Sequence, residues 1–355
     1  MVGSERVARP PLIAISTGCP AGIGPEVSVA AAWRLRALDA VLVGDLETLR
    51  AAAKLVGVPA DRLLAVGGDD AGGESQRKRG FLRVLEVGPK LALRDRRPGK
   101  PSRRAGAAEL KYVEVAHFLV RAELRAGGRG ALVTAPVSKH AIATSGARGA
   151  SRFVGHTEWL RDRDGAREAV MCFVADGAAT SLVTTHVALS EVSRAIEAPG
   201  VLRATVALAE LLLCTGRKKP RIAVASLNPH AGEGELFGKE ETRAILPGIA
   251  SARRALARST DVRGPIGAET AFRKMRAGVY DGVVAMYHDQ ATIPMKLLAF
   301  GDAVNVTMGL SIPRTSVDHG TAYDIAWRGT ADPAGMLAAL ALGAKLARTK
   351  RWNGA

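Results

Sequence analysis

Residues 282–326, GVVAMYHDQATIPMKLLAFGDAVNVTMGLSIPRTSVDHGTAYDIA, are the stretch from which fold and site are most directly inferred. They begin with an apolar run, GVVAM, that predicts a short strand buried on both faces. Tyr287, His288 and Asp289 follow where this strand would end. In open parallel sheets, ligands bind outside the carboxyl ends of the strands. We therefore expect His288 and Asp289 to lie at a functional site.

The rest of the chain alternates between strand-like and helix-like segments. Short apolar runs at residues 12–16, 40–43 and 63–66 predict strands, and the segments near 25–33, 46–56 and 105–125 predict helices. Such alternation is typical of an α/β fold with a mostly parallel sheet covered on both faces. Residues 67–80, rich in Gly and charged side chains, predict a mobile loop.

The composition favours a globular protein with one large core or two ordinary domains. The chain has 355 residues, of which 47% are hydrophobic and 4% aromatic, so we expect a core of Ala, Val and Leu. Its cysteines, Cys19, Cys172 and Cys214, are too few and too scattered for a disulfide framework or a zinc knuckle. The sequence shows no secretory signal and no membrane-spanning run, which predicts a soluble cytoplasmic protein without a membrane partner.

The formal net charge of +16 makes nucleic-acid binding the first function to test. However, the densest basic runs, at residues 94–104 and 217–221, contain proline and have no interleaved aromatic residues for base stacking. A solvated basic surface that attracts anionic substrates explains the charge better. We therefore expect no nucleic-acid partner.

Three of the seven histidines follow strand-like runs. His186 comes after residues 181–183, His230 after residues 222–225, and His288 after the run described above. Because parallel strands lie roughly 5 Å apart, such side chains can converge on one ion. Neutral imidazoles suit Zn, Co, Ni or Fe, and three of them with an open position are typical of a catalytic metal site. A hydrogen-bonded structural role is the alternative, and it is the one we expect for His117 and His140.

Five motifs resemble those of the 4-hydroxythreonine-4-phosphate dehydrogenase family of vitamin B6 biosynthesis, in the same order over nearly the whole chain. They are GCPAGIGPE at residues 18–26, GHTE at 155–158, NPHAGE at 228–233, YHDQ at 287–290 and RTSVDHGTA at 314–322. The resemblance implies a fold similar to isocitrate and isopropylmalate dehydrogenases, with two α/β domains around a central cleft, in a homodimer. Residues 1–135 and 305–355 would form the first domain, on the cofactor side. Residues 136–304 would form the second, with the metal ligands and the dimer contacts.

The resemblance also implies roles for individual residues. One divalent metal ion would be held by His186, His230 and His288, with one of the three coming from the partner subunit. Substrate contacts would come from a polar set that comprises His156, Thr157, Lys296, Asn305 and Arg314. NAD or NADP would bind at His319, Gly320, Thr321 and Ala322 together with Asp324. Without the resemblance, Thr157 is equally well explained as a helix cap.

In the implied reaction, NAD or NADP removes hydride from the secondary alcohol of 4-phosphooxy-L-threonine, and the resulting β-keto acid loses carbon dioxide. A divalent ion such as Zn, Co, Mn or Mg would act as a Lewis acid on the hydroxyl and on the enolate. Lys296 and Arg314 would hold the phosphate or carboxylate. Lys139, Asp289 and His319 all remain candidates for the general base.

Three positions depart from the family pattern. Cys19 stands where the family usually has an acid, Ser311-Ile312-Pro313 shifts the proline before Arg314, and Trp327 replaces a usual glycine. The first two departures could change the substrate, and the third lies near the predicted cofactor segment. The alternatives are therefore a paralogous dehydrogenase that acts on a phosphorylated four-carbon sugar acid or on an aromatic cis-dihydrodiol carboxylate. A three-histidine metal hydrolase would instead turn over substrate without a nicotinamide.

Overall fold

The computed structural model describes residues 10–38, 40–68, 78, 80–175, 177–298, 303–349 and 352. Most of the predicted mobile loop at 67–80 lies outside these residues. The described residues divide into two compact units. Unit 1 contains the chain up to Asp164 and again from Ser311 onward, and unit 2 contains Gly165–Leu310.

Unit 1 is built on a parallel sheet. Its strands are β1 (Leu12–Ser16), β2 (Ala40–Gly44), β3 (Leu63–Val66), β4 (Leu82–Glu86), β5 (Gly130–Thr134) and β12 (Arg314–Val317). They lie in the order β3, β4, β2, β1, β5, β12, with every neighbouring pair parallel. Its helices are α1 (Gly24–Arg34), α2 (Leu46–Leu55), α3 (Arg103–Arg125), α4 (Lys139–Ala143), α5 (His156–Asp164) and α11 (Ala334–Arg348).

Local sequence explains why these elements begin where they do. Strand β1 is buried at all five positions, as expected for an apolar strand covered on both faces. Asp45 caps α2 by accepting the Thr48 amide at 2.8 Å, and Ser102 caps α3 by accepting the Ala105 amide at 3.0 Å. The predicted helix starts and strand ends of this unit agree with the structure to within about two residues.

Unit 2 is built on a sheet that contains both parallel and antiparallel strands. Its strands are β6 (Val170–Ala175), β7 (Ala178–Leu182), β8 (Arg221–Ala225), β9 (Asp261–Ile266), β10 (Gly282–Ala285) and β11 (Val304–Met308). They lie in the order β11, β6, β7, β10, β8, β9, and β6 is antiparallel to both of its neighbours. Its helices are α6 (Leu189–Ala195), α7 (Ala198–Cys214), α8 (Leu246–Leu256), α9 (Ala268–Arg276) and α10 (His288–Leu298). A π-helical turn, Glu241–Ile245, precedes α8.

The prediction of an α/β fold is confirmed, with one correction to the sheet. Strands β7, β10, β8 and β9 are parallel as expected. Strand β6 runs the other way because only two residues separate it from β7 in the sequence, and a connection this short joins only antiparallel strands. In addition, residues 288–298 form a helix that begins directly at His288.

The units divide the chain at 164/165 and 310/311, whereas the sequence placed domain boundaries at 135/136 and 304/305. Residues 139–164 stay with unit 1 because Asp164 accepts hydrogen bonds from the Ser311 amide at 2.5 Å and the Ser311 hydroxyl at 2.6 Å. His117, for which the sequence offered no companion, also contacts Asp164 at 3.2 Å. Strand β11 stays with unit 2 because it pairs with β6.

Cys19, Cys172 and Cys214 are buried, and none of them forms a disulfide. In the part of the chain that the structure describes, no helix has both the length and the apolar character needed to cross a membrane.

Candidate active site

The three strand-end histidines follow neighbouring parallel strands of unit 2. Strand β10 pairs with β7 on one side and with β8 on the other, so the segments carrying His186, His230 and His288 leave the same edge of the sheet. The rings of His186 and His288 lie 5.8 Å apart between centroids. Thr184 joins the two segments, since its hydroxyl donates to the Met286 carbonyl at 2.7 Å. The structure thus brings two of the three predicted ligands together.

His230 lies apart from this pair. Its ring contacts Phe237, with centroids 6.3 Å apart. Among the described residues, no group of three His, Cys, Asp or Glu side chains is close enough to hold a metal ion. One chain therefore supplies a histidine pair and, separately, a third imidazole.

The backbone around His230 is strained. His230, Ala231, Glu233 and Glu235 have φ values of 53°, 54°, 41° and 75°, and the two glycines between them are also left-handed. Only Gly adopts this region routinely, and each other residue held there costs of order 1–3 kcal/mol. Strain of this kind persists only when surrounding contacts enforce it, and it is concentrated at functional sites.

Two polar side chains to which the sequence analysis gave no role, the buried Glu241 and the half-buried Gln290, hold these segments. Glu241 is 3% exposed, and its carboxylate accepts the Leu227 amide at 2.9 Å and the Asn228 amide at 2.8 Å. Gln290 accepts the Met286 amide at 2.6 Å and donates to the Ser226 carbonyl at 2.9 Å, which ties the end of β10 to the end of β8. Gln290 could have been identified from the sequence because it belongs to the YHDQ motif, whereas no motif contains Glu241.

Asp289, one of the candidate bases, is engaged with its neighbour. Its carboxylate contacts Nδ1 of His288 at 2.7 Å. A carboxylate on one ring nitrogen orients the imidazole and leaves the other nitrogen, Nε2, for a ligand, as in many carboxylate–histidine–metal arrangements. The structure therefore favours an orienting role for Asp289 over that of a base.

Unit 1 holds a cationic cluster that comprises the buried Arg314, the half-buried His156 and the exposed Lys139. Arg314, the first residue of β12, is 3% exposed and donates to the Thr134 hydroxyl at 2.7 Å. Burial lowers the pKa of Arg314 to about 10, so it remains protonated at neutral pH. Glu158 opposes this shift of the Arg314 pKa.

The second residue of this cationic cluster, His156, has a shifted pKa and an unsatisfied ring nitrogen. Burial, followed by the charges of Arg314 and Lys139, lowers its pKa well below the ordinary value, so the imidazole is neutral. Its Nε2 atom is buried and has no hydrogen-bond partner among the described residues. Buried polar atoms are normally satisfied, and the two neighbouring cations mean that a ligand which brought a partner to Nε2 would be anionic. Thr157 follows it and is half-buried.

The remaining predicted substrate residues belong to unit 2. Lys296 lies on the exposed side of α10. Asn305 lies in β11, half-buried, and its Oδ1 atom has no hydrogen-bond partner in the described part of the chain.

The predicted cofactor segment packs on the glycine-rich loop after β1. The Ile23 amide donates to the Thr321 carbonyl at 3.0 Å, and a Cβ on Gly22 would lie 2.7 Å from that oxygen, so only glycine fits. His319 Nδ1 contacts the Gly320 carbonyl at 3.0 Å and must donate, which leaves Nε2 as a buried acceptor without a described partner. Ala322 has a φ of 44°, and Asp324 is exposed.

Taken together, the fold and these side chains define an α/β protein that has a cationic cluster suited to a small anion and a strand-end histidine pair. The family model described as "Pyridoxal phosphate biosynthetic protein PdxA" matches residues 36–343. The chain belongs to this family.

Individual relatives agree. A 4-hydroxythreonine-4-phosphate dehydrogenase of Geobacter metallireducens is 38% identical over 348 residues, which cover 97% of this chain and 98% of the relative. A D-threonate 4-phosphate dehydrogenase of Cupriavidus necator is 40% identical over 346 residues, with 95% and 97% covered. The crystal structure of 4-hydroxythreonine-4-phosphate dehydrogenase from Klebsiella pneumoniae is similar with a TM-score of 0.80 at 34% identity, covering 96% of this chain and all of that one. The names of these relatives support an oxidoreductase.

Proposed function

We propose that the chain is an NAD- or NADP-dependent dehydrogenase that oxidises 4-phosphooxy-L-threonine with the assistance of a divalent metal ion. The product, 2-amino-3-oxo-4-phosphooxybutanoate, would lose carbon dioxide to give 3-amino-2-oxopropyl phosphate in pyridoxal phosphate biosynthesis. The substrate class, a small phosphorylated acid, is supported by the name of the Geobacter relative and by the cationic cluster at Arg314. The observation that carries the proposal is the unpartnered Nε2 of His156 beside Arg314.

The residues of unit 1 would bind and orient the anionic end of the substrate. Arg314 offers a planar fork for two oxygens of a phosphate or carboxylate. Each charged contact contributes roughly 1.5–3 kcal/mol, which is enough to fix the reacting carbon. Lys296 and Asn305 remain predicted substrate contacts.

The histidine pair fits a divalent metal. His288 has the orienting carboxylate that metal-binding histidines usually have, and the His186 ring lies beside it. A bound Zn, Co, Mn or Mg ion would supply a Lewis acid that acidifies the substrate hydroxyl and stabilises negative charge after decarboxylation. Because one chain keeps His230 apart from the pair, we propose that a second copy of the chain contributes it, which requires a homodimer.

The coenzyme would bind at the segment from His319 to Ala322, with Asp324 nearby. NAD or NADP would supply the acceptor for the hydride. The Nε2 acceptor of His319 suits a hydroxyl or amide donor of such a ligand. Lys139 and His319 remain the candidates for the group that takes the hydroxyl proton.

A second candidate substrate is D-threonate 4-phosphate, which the 40% identical Cupriavidus relative is named for. The two substrates differ only at the carbon beside the carboxylate, where threonate carries a hydroxyl in place of the amino group. Both would present the same phosphate and carboxylate to Arg314, so its charge does not distinguish between them.

Initial rates of nicotinamide reduction decide between them. The chain, stripped of metal by a chelator, would be assayed with both phosphorylated acids and with an aromatic cis-dihydrodiol carboxylate, with NAD or NADP, before and after addition of each metal. We expect metal-dependent reduction with 4-phosphooxy-L-threonine, and faster turnover of D-threonate 4-phosphate would establish the second candidate instead. Absence of reduction with every acid and metal would refute the proposed function.

A further inference from the structure

A second buried acid in unit 1, Glu109 of α3, has no role in the proposed reaction so far. Its residue is fully buried, and its Oε2 atom accepts the backbone amide of Ser138 at 2.6 Å. The Cys19 thiol is near enough to this carboxyl to lower its pKa, and Oε1 has no hydrogen-bond partner among the described residues. A buried carboxyl with one spare oxygen is costly, so its presence requires an explanation.

Glu109 contacts the turn that carries Lys139. This turn, residues 135–139, follows β5, and Ser138 caps α4 by accepting the Ala141 amide at 3.2 Å. Helices α3 and α4 are also closely packed, since a Cβ on Gly106 would lie 2.0 Å from the Ala141 carbonyl oxygen. The position of Lys139, the first residue of α4, is therefore set from α3.

The same carboxyl is connected to the predicted coenzyme segment. The Cys19 sulfur lies 3.7 Å from the Tyr323 hydroxyl, and the side chains of Ser138 and Thr321 are hydrogen-bonding neighbours of that hydroxyl. Cys19 is itself fixed by its amide, which donates to the Pro136 carbonyl at 2.9 Å. Glu109 is thus connected to two segments. One is the turn that carries Lys139, a candidate base, and the other is the segment predicted to bind NAD or NADP.

We propose that Glu109 is a positioning residue for the reaction: through the Ser138 amide it holds Lys139 in place, and through Cys19 and Tyr323 it fixes the neighbouring coenzyme segment. This inference rests on the proposed function. Cys19 stands where the family usually has an acid, and Glu109 would supply a carboxyl to the same group of side chains.

The ionisation of this carboxyl makes the role testable. Burial raises the pKa of Glu109 to about 8, although the Ser138 amide and the Cys19 thiol act in the opposite direction. The ionisable groups around it are Cys19, Tyr112 and Tyr323, whose own pKa values burial raises, so they are neutral when Glu109 titrates. A carboxylate accepts the Ser138 amide more strongly than a neutral carboxyl. This gain does not offset the cost of burying the charge, since the pKa of Glu109 is raised, so the turn should be held less firmly as the pH rises through this pKa.

The test compares Glu109→Gln with Glu114→Gln, a control that removes a half-buried acid of the same helix. Gln resembles the protonated carboxyl, so the kcat of Glu109→Gln should match the wild type at about pH 6 and exceed it roughly tenfold at about pH 9.5, where only the wild type carries a buried charge. The control should show no such pH dependence. A ratio of wild-type to Glu109→Gln kcat that is the same at both pH values would overturn the proposal.

A second measurement does not need turnover. Hydrogen exchange of the amides in residues 136–143 should be roughly tenfold faster in Glu109→Leu, which removes the acceptor of the Ser138 amide, than in Glu114→Gln, with the rest of unit 1 unchanged. Equal exchange in the two variants would also overturn the proposal, even if wild-type turnover were normal. Conversely, if the wild type reduced no nicotinamide, the proposed function would fail while the exchange result still decided whether Glu109 holds the turn.

Discussion

Replacement of Glu241 by Gln should destabilise unit 2 and release the strained turn at His230. The substitution keeps the size and shape of the side chain but removes its charge. In the native structure one carboxylate oxygen accepts the Leu227 and Asn228 amides, and the other accepts Nδ2 of Asn228 at 2.9 Å. A Gln oxygen can keep the two backbone bonds, but its NH2 group then faces the NH2 group of Asn228.

Asn228 cannot remove this conflict by turning its amide over. Its Nδ2 also donates to Glu240 at 2.8 Å, so a flipped amide would place its oxygen against that carboxylate. The substitution therefore loses one charge-assisted bond and weakens two others, at about 1 kcal/mol each, or about 3 kcal/mol in total. For a unit of this size, that corresponds to a fall in Tm of about 6–12 °C.

Thermal unfolding measures this effect, with Glu269→Gln as the matched control. Glu269 is an exposed acid of the same unit that pairs with Arg273 at 3.0 Å, and exposed pairs of this kind contribute at most about 1 kcal/mol. Hydrogen exchange should show the loss concentrated at residues 227–235. If Glu241→Gln unfolded within about 2 °C of the control, the carboxylate would not be what enforces the left-handed backbone at His230.

Three further predictions follow from the site. Arg314→Lys should raise KM for a phosphorylated substrate roughly tenfold or more, because Lys cannot form the bidentate contact, and steady-state kinetics would show it. His230→Ala and His288→Ala should each be inactive, whereas a re-equilibrated equal mixture should recover about a quarter of wild-type activity, since half of the dimers would contain one intact site; no recovery would argue against a shared metal. Asp164→Asn should lose about 2 kcal/mol of unfolding free energy at neutral pH, because hydrogen bonds from His117 and Ser311 lower the pKa of Asp164 to about 2. This stability is present above the unfolded pKa and is lost as the pH falls toward about 2, so urea unfolding of the two proteins should converge in acid.

The strands that could be predicted from the sequence are those with continuous apolar runs. Strand β1 is LIAIS and β10 is GVVA, and both are buried at every position. Strand β12 was missed because its sequence, RTSV, is polar although all four residues are buried. Its polarity is satisfied only by tertiary contacts, such as the bond from the Thr315 hydroxyl to the Ala339 carbonyl at 2.8 Å. Local sequence carries no information about such partners.

The same distinction applies to the site. The positions of His186 and His288 could be predicted because strand ends of a parallel sheet share an edge, and no further contact was needed for that inference. Glu109 and Glu241 could not, because each acts from a helix on a backbone amide that is distant in sequence. An acid on a helix is usually a solvated residue, so only the fold distinguishes these two from the exposed ones.

The three departures from the family pattern have different consequences in the structure. Trp327 occupies a left-handed position with a φ of 61°, and it is held there because its amide donates to Glu26 at 2.7 Å and its indole to the Pro20 carbonyl at 2.8 Å. Ser311 is accommodated because its amide and its hydroxyl both donate hydrogen bonds to Asp164. Both substitutions therefore preserve the backbone at some cost in strain or in specific contacts. Cys19 differs because it alters the chemistry of a buried cluster that includes a carboxyl, so substrate preference should depend on this position more than on the other two.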